Sequence, residues 1–136
     1  MEYQVTVKGF KSGLNELLVG RVYDHRTKKY RNAVKNKNDA ICAKYIKASK
    51  DLQGVKIIKP IVIHYSFYCE NKMHDRMNIA SAFIKSFEDA LQKCEVIKND
   101  GFDDVLTPTL HFEIDKHNPR VEIVIEEKES ENVQND

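Results

Sequence analysis

The chain has 136 residues, 41% of them hydrophobic and 32% charged, with a formal net charge of +1. That length fits one domain with a sizeable core and excludes two catalytic domains, and the composition excludes a disordered or fibrous chain. No run of about 18 apolar residues is present to span a bilayer, and Met1–Gly20 lacks the basic-then-apolar order of a secretory signal, so a cytoplasmic protein without a membrane partner is expected.

Tyr3–Lys8 alternates apolar and polar side chains with β-branched residues, the pattern of a strand, and Ser12-Gly13-Leu14-Asn15 breaks it as a turn. Between Lys8 and Lys37 stand nine basic residues against two acids, a local net charge of +7. Such a segment suits a polyanion such as nucleic acid, because phosphates are neutralised by clustered Lys and Arg; it is equally the composition of a solvated face. Tyr23 and Tyr30 lie among these charges and suit either base stacking or packing. From about Arg31 to Lys50, apolar residues recur at Val34, Ile41, Tyr45 and Ala48, close to helical spacing.

Gln53-Gly54 ends this first helix, Val55–Ile58 starts extended structure, and Pro60 interrupts it before Ile61–Tyr68. Both faces of Ile61–Tyr68 are largely apolar, as in a covered central strand, so His64 reads as a packed core histidine. A polar stretch leads into a second helix over roughly Asn78–Cys94. At 100° per residue Ile79, Phe83, Phe87, Ala90 and Cys94 share the core stripe, while Asn78, Ala82, Lys85 and Asp89 share the opposite one. Asn99-Asp100-Gly101 is a turn signal. Leu110, Phe112 and Ile114 then alternate with polar residues, Asp115–Pro119 turns, and Val121, Ile123 and Ile125 alternate again, which reads as an antiparallel hairpin. The last residues, 127–136, are acidic and poor in apolar side chains, and are expected to be a disordered tail. The three cysteines, Cys42, Cys69 and Cys94, are odd in number and lack a Cys-x-x-Cys pair, which argues against a disulfide framework and a zinc site and for reduced core residues.

The expected fold is thus an α/β (α+β) domain over residues 1–126: a mixed sheet, two main helices packed on one face, and a C-terminal antiparallel hairpin. Asp75, before the second helix, and Asp100, just past it, sit where scaffolds present function, and hard cations such as magnesium take carboxylate oxygens from separate elements. Their residue types also suit a helix N-cap and a turn-forming Asp before Gly101. Lys85 and Asp89 likewise suit either chemistry or a plain i, i+4 surface pair.

Asp75-Arg76-Met77-Asn78-Ile79, then Lys85, Asp89-Ala90-Leu91, Asn99-Asp100-Gly101, and Ile114-Asp115-Lys116-His117-Asn118-Pro119-Arg120-Val121-Glu122 together resemble the RusA-like Holliday-junction resolvases of phages and prophages, over about residues 3–126. The resemblance implies a homodimeric, Mg2+-dependent endodeoxyribonuclease that nicks four-way DNA junctions in recombination and repair. It implies Asp75 and Asp100 as metal ligands, Lys85 as the lysine stabilising charge at the scissile phosphate, and Asn78 and Asp89 as supporting residues. Arg21, Arg26, Lys28, Lys29, Arg31, Lys72, His74 and Arg76 are the candidate DNA contacts. The chain departs from the family pattern at Met77, where a second aspartate is expected. A thioether is a poor magnesium ligand, so the resemblance leaves two outcomes: a weakened nuclease, with Asp89, Glu70 or water completing the coordination, or a junction-binding protein that does not cut.

Overall fold

The computed structural model describes residues 1–9, 21–24, 29–70, 72 and 76–129, with only the backbone described at 21–24 and 29–35. The expected Ser12–Asn15 turn, His74, Asp75, Arg26 and Lys28 therefore lie outside the described residues, as do residues 130–136 of the expected tail. In chain order the elements are β1 (Glu2–Val7), β2 (Arg21–Asp24), β3 (Lys29–Asn32), α1 (Ala33–Ala48), a short 3-10 helix (Lys50–Leu52), β4 (Ile61–Cys69), α2 (Arg76–Lys93), β5 (Thr109–Ile114) and β6 (Arg120–Glu127). Among the described residues no helix is long and apolar enough to cross a membrane.

Four strands form one mixed sheet in the order β1-β6-β4-β5, with β6 antiparallel to β1 and β4, and β5 parallel to β4. The expected α+β class with a mixed sheet and two helices is what the chain adopts. The expected C-terminal hairpin is not: β5 and β6 never pair, because β4 lies between them. Adjacent strands are ~4.8 Å apart, so the Asp115–Pro119 connection crosses roughly 10 Å over the end of β4. Alternation reveals that both segments are strands; it carries no information about which strand intervenes.

The period-2 pattern sorts the sheet into two faces. Tyr3, Val5 and Val7 of β1, Ile61, Ile63, Tyr65 and Phe67 of β4, and Val121, Ile123 and Ile125 of β6 are all buried on one face, under the helices. From α2, Ile79, Ala80, Phe83, Phe87, Ala90 and Leu91 close that core, matching the expected stripe. Phe83 lies edge-on to Tyr65 and Phe67 at ring separations of 5.9 and 5.7 Å, and each such buried side chain contributes roughly 1.5–3 kcal/mol by leaving water. The α1 stripe is rotated from the expected one: Asn38, Asp39, Cys42 and Ile46 are buried, Ile41 and Tyr45 only partly, and Ala48 is exposed. Hydropathy misplaced it because two of its buried residues are polar.

The opposite sheet face is not covered by any described helix. Val62, His64, Ser66 and Tyr68 of β4 are half-buried there. His64 is therefore not the packed core histidine expected; its Nδ1 lies 2.7 Å from Thr109 Oγ1 and its Nε2 2.9 Å from Glu126 Oε1, tying β5 and β6 to β4. All three cysteines are free, Cys42 buried and the others partly so, as expected. At the end of the described chain β6 includes Glu127, and the Lys128 amide donates to the Pro60 carbonyl at 2.7 Å.

The basic segment holds a further pair of strands that composition did not suggest. β2 and β3 pair antiparallel, setting Val22 opposite Arg31 and Tyr23 opposite Tyr30. A cleft of about 320 Å³ lies between the outer edge of β1 and the end of α1. Across it the Gln4 amide donates to Asp51 Oδ2 and the Ser49 hydroxyl donates to the Gln4 carbonyl. These bonds blunt an open sheet edge.

Candidate functional site on helix α2 and the turn that follows it

The residues of α2 are mostly strong helix formers (Ala, Leu, Lys, Glu, Gln) without interior Gly or Pro, so the helix runs unbroken for 18 residues. Its C-terminus determines where Asp100 goes. Glu95 takes a left-handed conformation at φ 60°, the Glu95 amide donates to the Gln92 carbonyl at 3.0 Å, and the Val96 amide donates to the Leu91 carbonyl at 2.9 Å. This is the Schellman arrangement, with buried Val96 and Leu91 as its apolar contact. It reverses the chain, and the Ile57 amide fixes the new direction by donating to the Val96 carbonyl at 2.8 Å.

Upstream of this turn, on α2, stand the candidate residues Lys85 and Asp89. There Lys85 Nζ stands 3.4 Å from Asp89 Oδ1, with the lysine 64% exposed and the aspartate 22% exposed. The ammonium is available to an incoming group, while the aspartate that orients it is partly sheltered. Beside them the half-buried Glu88 carboxyl is pushed up to about 7, first by desolvation and then by the negative charge of Asp100, with Lys85 opposing and Asp89 adding to the shift. Burial pushes the Tyr65 phenol up as well, with the negative charge of Glu88 adding to the shift.

Lys85 and Asp89 are thus paired on α2, and the Asp100 charge acts on Glu88 of the same helix. Asn78 is exposed in the first turn of α2, and at 1.5 Å rise per residue it stands roughly 15 Å along the axis from Glu88. Arg76 is exposed and its guanidinium lies 5.5 Å from the centre of the Phe112 ring; Lys72 is exposed as well. Arg21, Lys29 and Arg31 fall on β2 and β3, where only the backbone is described.

Sequence reading missed Glu88. At 100° per residue it falls beside both the core stripe and the Lys85–Asp89 line, belonging to neither, and only its adjacency to Phe87 and Asp89 marked it. Donor chemistry suits a hard cation here, since Asp100, Glu88 and Asp89 offer carboxylate oxygens and magnesium needs only one or two with water and phosphate oxygens. Among the described residues no group of three carboxylate, imidazole or thiol side chains is placed to hold a metal ion. Met77 is 56% exposed and offers sulfur, which does not suit that cation.

No family model and no curated protein matches the chain. The likeness to the RusA-like pattern therefore rests on the quoted residues, and the geometry shows what one of those blocks does. In Ile114–Glu122, Asp115 Oδ1 accepts from the Asn118 amide at 3.2 Å, while Arg120 donates to Asp115 Oδ2 at 2.7 Å and to Glu122 Oε2 at 2.6 Å. The Arg120 guanidinium also covers the Tyr68 ring at 4.0 Å. That block builds the connection over the end of β4. Arg120 holds the Asp115 carboxyl below the usual carboxylate range, helped by backbone amides of the turn.

Proposed function

We propose that this chain is a magnesium-dependent, structure-selective endodeoxyribonuclease that acts as a cytoplasmic homodimer on four-way or otherwise branched DNA. What supports the reading is the pairing on α2 of the exposed Lys85 with Asp89, followed by Asp100 whose charge acts on Glu88 of the same helix, in the order of the RusA-like pattern. A two-fold dimer suits a two-fold junction, because each protomer then presents one site to one of two opposed strands.

In this reading Lys85 meets a non-bridging oxygen of the scissile phosphate, and Asp89 holds the ammonium in place by accepting from it. Asp100, with Asp75, would hold the magnesium ion, which supplies Lewis-acid stabilisation of charge on that phosphate. Lys72, Arg76, His74 and the basic residues Arg21, Arg26, Lys28, Lys29 and Arg31 neutralise flanking phosphates, which makes binding fall steeply with salt. The test is nicking of a synthetic four-way junction in magnesium. The wild type nicks it, EDTA stops the reaction, and Asp100→Asn or Asp75→Asn binds the junction without cutting. Undiminished nicking by Asp100→Asn would end the assignment.

Met77 favours a second reading, a non-catalytic junction-binding protein, since an exposed thioether stands where the resembled family has a carboxylate. Under it the wild type binds junctions and leaves them intact, and Met77→Asp gains cutting. Equal nicking by wild type and Met77→Asp removes this alternative.

A further inference from the structure

The two outer strands of the sheet present different edges. Along β1 the Gln4 amide donates to Asp51 Oδ2 and the Gln4 carbonyl accepts from the Ser49 hydroxyl. Strand β5 has β4 on one side and no described strand on the other. The Asp115 amide donates to the Cys69 carbonyl at the end of β4 at 2.8 Å, and successive residues of a strand turn their N–H and C=O groups to opposite edges. His111 and Glu113 therefore bond to β4, while Leu110, Phe112 and Ile114 turn their amides and carbonyls outward. Thr109–Ile114 contains neither Pro nor Lys, residues that commonly protect such an edge. Its side chains are sorted as well. Leu110 and Phe112 pack partly against the core, with Phe112 stacked on Phe67 at 5.1 Å, and Ile114 on the same face is 54% exposed. On the other face Thr109, His111 and Glu113 are exposed, and His111 Nε2 lies 3.0 Å from Glu113 Oε1.

We propose that the outer edge of β5 pairs antiparallel with β5 of a second copy of this chain, about a two-fold axis through Phe112. The inference rests on the homodimer of the proposed function and names its surface, but it requires neither DNA nor cleavage. With Phe112 opposite itself, Leu110 faces Ile114 of the second copy on the apolar side and His111 faces Glu113 on the polar side, each pair occurring twice by symmetry. Phe112 with Phe112 and Leu110 with Ile114 are then the hydrogen-bonded pairs, which satisfies the outward amides and carbonyls of all three residues. His111 and Glu113 form the alternate pairs, whose Cα atoms stand about 4.5 Å apart with side chains closest. Each imidazole thus gains a second carboxylate. Neighbouring registers fail on the same residues. An axis at His111 sets imidazole against imidazole and Ile114 against Pro108, and an axis at Glu113 sets carboxylate against carboxylate. This self-complementarity selects a second copy over an unrelated strand. The two four-stranded sheets become one continuous sheet, and the Arg76 guanidinium, 5.5 Å from the centre of the Phe112 ring, comes near the axis from each protomer.

The test uses the full chain, free of DNA, in sedimentation equilibrium over a wide range of concentration. The wild type passes from monomer to dimer as concentration rises. Ile114→Lys, at an exposed position, weakens dimerisation by tenfold or more while far-UV circular dichroism stays that of the wild type. Glu113→Lys, which removes the acceptor facing His111, weakens it several-fold, and adding His111→Glu restores it by reversing the pair. Register is read by mixing the separate His111→Cys and Glu113→Cys proteins under mild oxidation and mapping the peptides. They crosslink to each other, because facing Cα atoms lie within disulfide range, and each crosslinks little to itself, because diagonal residues stand about 7–8 Å apart. A wild type that stays monomeric, an Ile114→Lys chain that dimerises like the wild type, or self-crosslinks that exceed the mixed ones overturns the proposal. Junction nicking separates the two readings. If the wild type nicks junctions yet sediments as a monomer, the nuclease stands and the β5 interface falls. If Ile114→Lys loses the dimer and no form nicks, the interface stands and the nuclease falls.

Discussion

Replacing Glu88 by Gln should stabilise the cation-free protein, and only where the wild-type carboxyl is forced to ionise. In the fold this acid titrates near 7 against an ordinary value of 4.5. Between those values the folded chain holds a proton that the unfolded chain has released, so wild-type stability falls as the pH rises from about 4.5 through 7. At 1.36 kcal/mol per pH unit the unscreened cost is roughly 3 kcal/mol at pH 8. The carboxyl is only half-buried and water screens it, which reduces the expected cost to about 1–2 kcal/mol. Gln keeps the shape and carries no charge at any pH. Urea denaturation in EDTA should therefore find wild type and Glu88→Gln equal within error at pH 5, and the variant more stable by about 1–2 kcal/mol at pH 8, a rise in Tm of roughly 3–8 °C. A difference that is the same at both pH values, or a variant less stable at pH 8, would refute the reasoning.

Phe83→Ala, which removes a fully buried ring packed against Tyr65, Phe67 and Phe87, should cost about 3–5 kcal/mol in urea denaturation. Glu95→Gly should raise stability by about 0.5–1 kcal/mol, because φ 60° is strained for a side chain and free for glycine; a loss of stability would mean that the contact with Lys56 at 3.7 Å outweighs the strain. The Asp115 carboxyl is held low in the fold, so its contribution is complete above the ordinary value of 3.8 and disappears as the pH falls through its lower folded value. Thermal melts of wild type and Asp115→Asn should accordingly differ at neutral pH and converge in acid. Under the nuclease reading, Lys85→Met should lower the junction-nicking rate by about 100-fold with little change in junction affinity, measured by single-turnover cleavage and gel shift.

Periodicity is a property of neighbouring residues, and whatever depended on it alone was readable from the chain. Ile79, Phe83 and Phe87 recur at helical spacing and do form the buried stripe of α2; Tyr3, Val5 and Val7 alternate and do face the core. Lys85 and Asp89, one helical turn apart, had to meet if α2 formed. Pairing partners and chain reversals are different, because they depend on contacts between residues far apart in sequence. Nothing in Leu110–Ile114 or Val121–Ile125 shows that β4 lies between them, and no residue pattern signals that a left-handed Glu95 reverses the chain after α2. The burial of the Tyr65 hydroxyl under Phe83 and Phe87 follows from packing α2 on the sheet. Each side chain was visible beforehand; its electrostatic surroundings came into being only when two surfaces closed and excluded water.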